Sequence, residues 1–254
     1  KRRPDGAGRA RDFGRSFAWQ AGGTKLVYLS YRGLRRDGAS LDAVQLTEPE
    51  IRVFDPLSGE DRSHYAVSLP TGDDPQTFAQ TAIGGLAMTH DGTILFVEGA
   101  GLASTGMSAY LKELKDGEAR TLARLGNYAL GKTPYLSPDG RWATLADSLD
   151  PPWLSFSATD YRAVVDLSSG EMRTLEGPYS VGEPSWAPDG RGAYYACKTG
   201  ALADRVCLAA TRADEDRTGP PLDPLSELQA IAVSPDGARM AWLSRDLDDR
   251  ISLK

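Results

Sequence analysis

One four-residue turn, returning at an almost constant interval, constrains this chain more than any other feature of it. Ser137-Pro138-Asp139-Gly140 comes back as Ala187-Pro188-Asp189-Gly190 and as Ser234-Pro235-Asp236-Gly237, and in altered form as Thr89-His90-Asp91-Gly92. Their aspartates stand 48, 50 and 47 residues apart. The turn chemistry is that of a hairpin. Proline sets φ for the second position, the aspartate carboxylate can accept from its own backbone, and glycine supplies the left-handed residue. Apolar runs of strand length flank every copy. Leu86-Ala87-Met88, Tyr135-Leu136, Ser185-Trp186 and Ile231-Ala232-Val233 stand ahead of it. Ile94 to Val97, Trp142 to Leu145, Ala193 to Ala196 and Met240 to Leu243 follow.

Two more strands complete most copies. Ala109-Tyr110-Leu111 and Ala119 to Leu122 meet at Lys115-Asp116-Gly117, and Tyr161 to Leu167 meets Glu171 to Leu175 at Ser168-Ser169-Gly170. The repeating unit is therefore four antiparallel strands. A degenerate first copy reads Phe17 to Gly23, Lys25 to Tyr28 and Ile51 to Asp55, with the turn Leu57-Ser58-Gly59. Units of this size cannot bury both faces alone, and in tandem they close radially as a propeller. The expected fold is an all-β propeller of four-stranded antiparallel blades beginning near residues 17, 86, 133, 183 and 229, in one domain over 15–254. Composition agrees: 27 glycines and 16 prolines in 254 residues leave little room for ordinary helices.

The repeated Ser-Pro-Asp-Gly-Arg signature followed by an apolar strand resembles that of the TolB-like propeller family, across roughly residues 15 to 254. Members usually have six or more blades, whereas five starts are visible and the fifth copy has three strands, the last being Arg250 to Lys254. A five-bladed ring closes if the basic segment 1–14, around Arg11 to Arg15, supplies the missing strand. A six-bladed ring or a truncated chain is the alternative.

Charge and cysteine content narrow the partners. Lys and Arg total 29 against 35 Asp and Glu, a net charge of −6, which argues against a nucleic-acid binder. No apolar run approaches the roughly 18 residues of a membrane span. The opening Lys1-Arg2-Arg3 is a solvated tail or a juxtamembrane remnant, and no apolar signal-peptide core follows it. Cys197 and Cys207 flank a turn, as either a cross-strand disulfide or two small buried residues.

Binding is expected on the long loops opposite the Pro-Asp-Gly turns. Three stand out: Tyr31 through Glu48, the glycine-rich Gly99 to Gly106, and Ser148 to Ser157. Trp153 and Phe156 are large apolar groups in a Pro-rich loop, able to anchor an interface or fold onto a neighbouring blade. Tyr31, Arg32, Arg35 and Arg36 form the second candidate, arginines that could clamp a carboxylate or lie as a solvated patch. No catalytic set emerges. His90 occupies a turn, His64 is the only other histidine, and no Gly-x-Ser-x-Gly elbow is present. No cofactor is expected, with a structural calcium left open at Asp73-Asp74 or at Asp246, Asp248 and Asp249.

The expected function is a non-catalytic module that binds a protein or peptide. The resemblance implies a periplasmic or extracellular setting, as for TolB among envelope proteins. Two alternatives remain. One is a propeller enzyme with a carboxylate-lined axial pocket for a sugar or lactone, the other a sensor ectodomain of a membrane protein.

Overall fold

Successive residues of the inner strands are buried, so both faces of each sheet are covered, and this decides how the strands assemble. In the third repeat, Ala143, Thr144 and Leu145 are buried in succession on one strand and Ala163, Val164 and Val165 on the next, so that ladder pairing and burial of both faces reinforce each other. The computed structural model describes residues 17–36, 44–66, 79–102, 106–125, 132–147, 162–175, 184–198, 204–221, 227–245 and 251–253. These residues form nineteen strands in five antiparallel sheets, and the chain divides into two compact units, Lys1–Leu130 and Gly131–Lys254.

The first unit holds two sheets. One comprises β1 (Phe17–Trp19), β2 (Leu26–Arg36), β3 (Val44–Asp55) and β4 (Glu60–Ala66); the other, β5 (Ala79–Met88), β6 (Ile94–Leu102), β7 (Gly106–Lys115) and β8 (Glu118–Arg124). Each sheet pairs in simple chain order. Val27, Ile51 and Val53 of the first sheet pack on Ile83, Leu86, Met88, Ile94 and Phe96 of the second, making one buried cluster. β5 starts seven residues before the expected Leu86. Its pairing with β6 slips between Gly84 and Ala87, where Gly85 has φ 60, and this bulge lets the longer strand stay in the ladder.

The second unit holds three sheets. They are β9 (Lys132–Leu136), β10 (Trp142–Asp147), β11 (Arg162–Asp166) and β12 (Met172–Leu175); β13 (Ser185–Trp186), β14 (Gly192–Lys198), β15 (Asp204–Ala210) and β16 (Arg217–Pro221); and β17 (Glu227–Val233), β18 (Met240–Arg245) and β19 (Ile251–Leu253). The third and fourth sheets meet through Val164, Leu175, Trp186 and Ala209, and Ile231 of the fifth is backed by Tyr194 and Val206 of the fourth. The Trp186 indole donates to the Tyr135 carbonyl at 2.7 Å, tying the two sheets at their first strands. Arg173 of β12 forks onto Asp216, at 2.8 and 3.1 Å, and also donates to the Ala210 carbonyl. Four-stranded antiparallel sheets in tandem, each packing a face on the next within its unit, are the blades of a β-propeller. The segment around Arg11 to Arg15 lies outside the described residues.

Candidate functional site

The two ends of each blade are built for different purposes. At one end sit the repeated turns, and their hydrogen bonds are spent internally. Ser137 Oγ donates to Asp139 Oδ1 at 2.5 Å and accepts from the Trp142 amide at 2.9 Å, while the Arg141 amide donates to Asp139 Oδ1 at 3.1 Å. Ser234 and Asp236 repeat the arrangement. These donors hold the Asp139 and Asp236 carboxyls below the usual carboxylate range, the serine hydroxyl being the main cause. In the second unit the turns lie side by side. A Cβ on Gly190 would stand 3.6 Å from the Asp139 carboxyl, and one on Gly237 would stand 3.8 Å from Pro188. His90 belongs to such a turn: its carbonyl accepts from the Gln20 amide group at 2.8 Å.

The opposite end carries the second-to-third-strand hairpins, and there the sequence reading needs correction. Tyr31, Arg32, Arg35 and Arg36 lie in β2, not in a loop, with Arg35 opposite Gln45 and Arg36 opposite Val44. The alternation of Val44-Gln45-Leu46-Thr47 explains why: it offers β2 a partner strand of matching period. The glycine-rich stretch is also largely strand. Gly99 to Leu102 complete β6 and Gly106 opens β7, because ladder hydrogen bonds need only backbone groups. Trp153 and Phe156 lie outside the described residues, as do Asp73, Asp74, Asp246, Asp248 and Asp249.

Two polar networks in the first unit left no trace in the sequence, because each joins residues as far as 33 positions apart. Glu98 on β6 is buried, with Oε1 taking the Lys112 ammonium at 2.8 Å and Oε2 taking the Tyr65 hydroxyl at 3.1 Å. Burial first, and the Glu98 charge second, push the Tyr65 phenol up to about 12, so it keeps its proton and donates. A carboxylate with both oxygens engaged ties two blades together and is no free general base. On the other face of the first sheet, Asp61 accepts from Tyr28 at 2.7 Å and from Arg52 Nε at 3.1 Å, and Arg52 also reaches Glu50 at 3.2 Å. The Tyr28 hydroxyl bond is the chief reason the Asp61 carboxyl titrates low. Phe17 and Trp19, more than half exposed, lie on the strand beside them.

His64, on β4, has its pKa lowered by partial burial and by the charges of Arg62 and Lys25. Among the described residues no group of three or more His, Cys, Asp or Glu is placed to hold a metal ion, and no helix is long and apolar enough to cross a membrane. Cys197 and Cys207 form a disulfide across the β14–β15 hairpin, with Cα atoms 5.9 Å apart. Cys207 pairs with Tyr195 and Cys197 with Arg205, so the bridge runs diagonally on the face packed against the third sheet.

Strand order, turn chemistry and blade packing together define a β-propeller. Among solved structures, the chain is similar to TolB from Acinetobacter baumannii, with a TM-score of 0.51 and 15% identity over 94% of this chain and 53% of that one. It is also similar to an oligogalacturonate lyase from Vibrio parahaemolyticus, with a TM-score of 0.55 and 12% identity over 94% of this chain and 64% of that one. An oligogalacturonate lyase in complex with manganese gives 0.52 and 14% identity, over 97% and 76% of the two chains. The chain thus spans about half to two thirds of the length of the first two. No family model matches it, and no curated protein does either.

Proposed function

We propose that this chain is a non-catalytic interaction module, exported or held at the cell envelope, which binds a protein or peptide at the hairpin end of its blades. One observation supports the reading: among the described residues, long paired hairpins, β2 with β3 and β6 with β7, stand at that end in the first unit. β2 and β3 run for 11 and 12 residues, and β5 to β7 for 9 or 10. The turns at the other end have their polar groups committed to one another. Extra backbone at one end of a rigid scaffold is the usual material of a binding surface. The setting among envelope proteins rests on the resemblance to TolB, and the cross-strand disulfide fits an oxidising compartment.

The test is cross-linking of the purified chain to its partners in envelope extracts, quantified for wild type and for substitutions at each end. Trp153→Ala with Phe156→Ala, in the segment of chain that links β10 to β11, should cut the yield at least tenfold, and Arg141→Ala, at the turn end, should leave it unchanged. Equal yields from both variants would defeat the reading. The lyase likeness supports a second reading, an enzyme acting on a sugar, and turnover of an oligogalacturonate or lactone by the purified chain would establish that instead.

A further inference from the structure

We propose that Asp116-Gly117, at the tip of the β7–β8 hairpin, is a modification site at which the folded chain converts aspartate to isoaspartate, while the repeated turns protect their own Asp-Gly pairs. Among the described residues that dipeptide occurs at Asp91, Asp116, Asp139, Asp189 and Asp236, each followed by glycine. In the reaction the glycine nitrogen attacks the aspartate carboxyl carbon, a C–N bond forms, and the amide proton leaves with the carboxyl hydroxyl as water. Water then reopens the cyclic imide. Opening at the side-chain carbonyl restores aspartate; opening at the main-chain carbonyl breaks the original peptide bond and leaves the chain running through Cγ. Attack therefore needs a free glycine nitrogen and a carboxyl that is protonated and able to rotate.

In the repeated turns both partners are held. Asp139 Oδ1 accepts from the Ser137 hydroxyl at 2.5 Å and the Arg141 amide at 3.1 Å, and the Gly140 N–H donates to the Ser137 carbonyl at 2.9 Å. Asp236 and Gly237 repeat this with Ser234 and the Ala238 amide. Asp91 accepts from Thr89, the Thr93 amide and Lys115, and Gly92 donates to the Thr89 carbonyl at 3.1 Å. Asp189 has the Arg191 amide at 3.1 Å and its guanidinium at 3.4 Å, with Gly190 bound to the Ala187 carbonyl at 2.9 Å, but alanine at 187 supplies no hydroxyl. The hydroxyl bonds also hold the Asp91, Asp139 and Asp236 carboxyls below the usual carboxylate range, which depletes the protonated form.

Asp116 differs on both counts. Among the described residues its carboxylate has no hydrogen-bond or ion-pair partner, and the Gly117 N–H has no acceptor. Both residues are exposed. Pairing of Lys115 with Glu118 leaves them as a two-residue turn with φ 52 and 84, the type I′ form, and Asp116 is the only non-glycine residue described with a positive φ. Isoaspartate adds one backbone atom to that turn and leaves a free α-carboxyl at the hairpin tip.

The test incubates the purified whole chain at pH 6, folded and in parallel in urea. Trypsin separates the Asp-Gly pairs onto different peptides, and electron-transfer fragmentation quantifies isoaspartate on each. In the folded chain Asp116 should convert at least threefold faster than Asp91, Asp139 and Asp236, with Asp189 between. In urea, where the turn bonds are gone, all rates should fall within threefold of one another. Ser137→Ala, with a wild-type circular dichroism spectrum, should at least double the rate at Asp139. A folded-state rate at Asp116 less than threefold above the hydroxyl-capped turns, or a threefold preference that persists in urea, would overturn the site. An unchanged Asp139 rate in Ser137→Ala would overturn the protection assigned to the turn bonds.

Discussion

Trp186 lets the packing argument be tested on one ring. It is nearly buried between the third and fourth sheets, and its Nε1 donates to the Tyr135 carbonyl at 2.7 Å. Trp186→Phe keeps an aromatic ring in place and deletes the donor. The lost buried hydrogen bond is worth about 1 kcal/mol, and the smaller ring gives up about another 1 kcal/mol of apolar burial at ~25 cal/mol per Å². Together these come to about 2 kcal/mol, which should lower the unfolding midpoint by roughly 4–8 °C for a chain of this size. Trp142 is the internal control, since it stands on the other side of a similar turn. It is only half-buried, with the Arg141 guanidinium 5.4 Å from its ring centroid, and phenylalanine retains most of that contact. Trp142→Phe should cost below about 1 kcal/mol. Calorimetry of the two variants decides the matter. A Trp186→Phe midpoint within 1 °C of wild type, or a larger loss for Trp142→Phe, would show that the indole bond between blades does not carry the stability assigned to it.

The turns respond to pH with a definite sign. The folded Asp139 carboxyl titrates below its unfolded value, so its contribution is complete above about pH 4 and is lost as pH falls through the folded pKa. Ser137→Ala removes the main cause, so urea midpoints of wild type and variant should differ at pH 6 and converge toward pH 3; a gap that widens in acid contradicts this. Two glycines separate backbone strain from steric exclusion. Gly140→Ala meets nothing within 4 Å but adopts φ 68, and should cost about 1–2 kcal/mol. In Gly192→Ala the new Cβ would fall 2.5 Å from the Ala209 carbonyl oxygen, and the variant should unfold at lower urea than Gly140→Ala. Reducing Cys197–Cys207, which closes a loop ten residues long, should lower stability by about 2.5–3 kcal/mol on the chain-entropy account, measured by denaturation with and without reductant. Alkylation of both thiols in unreduced native protein would show that the bridge does not form.

What the sequence disclosed, it disclosed through local chemistry. The Pro-Asp-Gly turns are legible because four adjacent residues contain the whole reason for the turn, and Gly140, Gly190 and Gly237 all take the positive φ that the motif demands. Strands beside them are equally legible, since each is a short apolar run bounded by turn residues. The long hairpin is hidden for the same reason. Arg32, Arg35 and Arg36 look like loop residues until Val44 to Thr47 are set against them, and that pairing spans a gap over which the chain gives no local sign. Tyr65, Glu98 and Lys112 show the limit from another side. Each is an unremarked residue in its own strand, and only the packing of β4 against β6 and β7 makes them a cluster.

The same distinction bears on function. A propeller's fold lives in its repeats, so they reveal the fold readily; its binding surface lives where repeats depart from one another. Here the described residues show long paired hairpins at one end of the first unit, while the turns at the other end repeat the same internal hydrogen bonds.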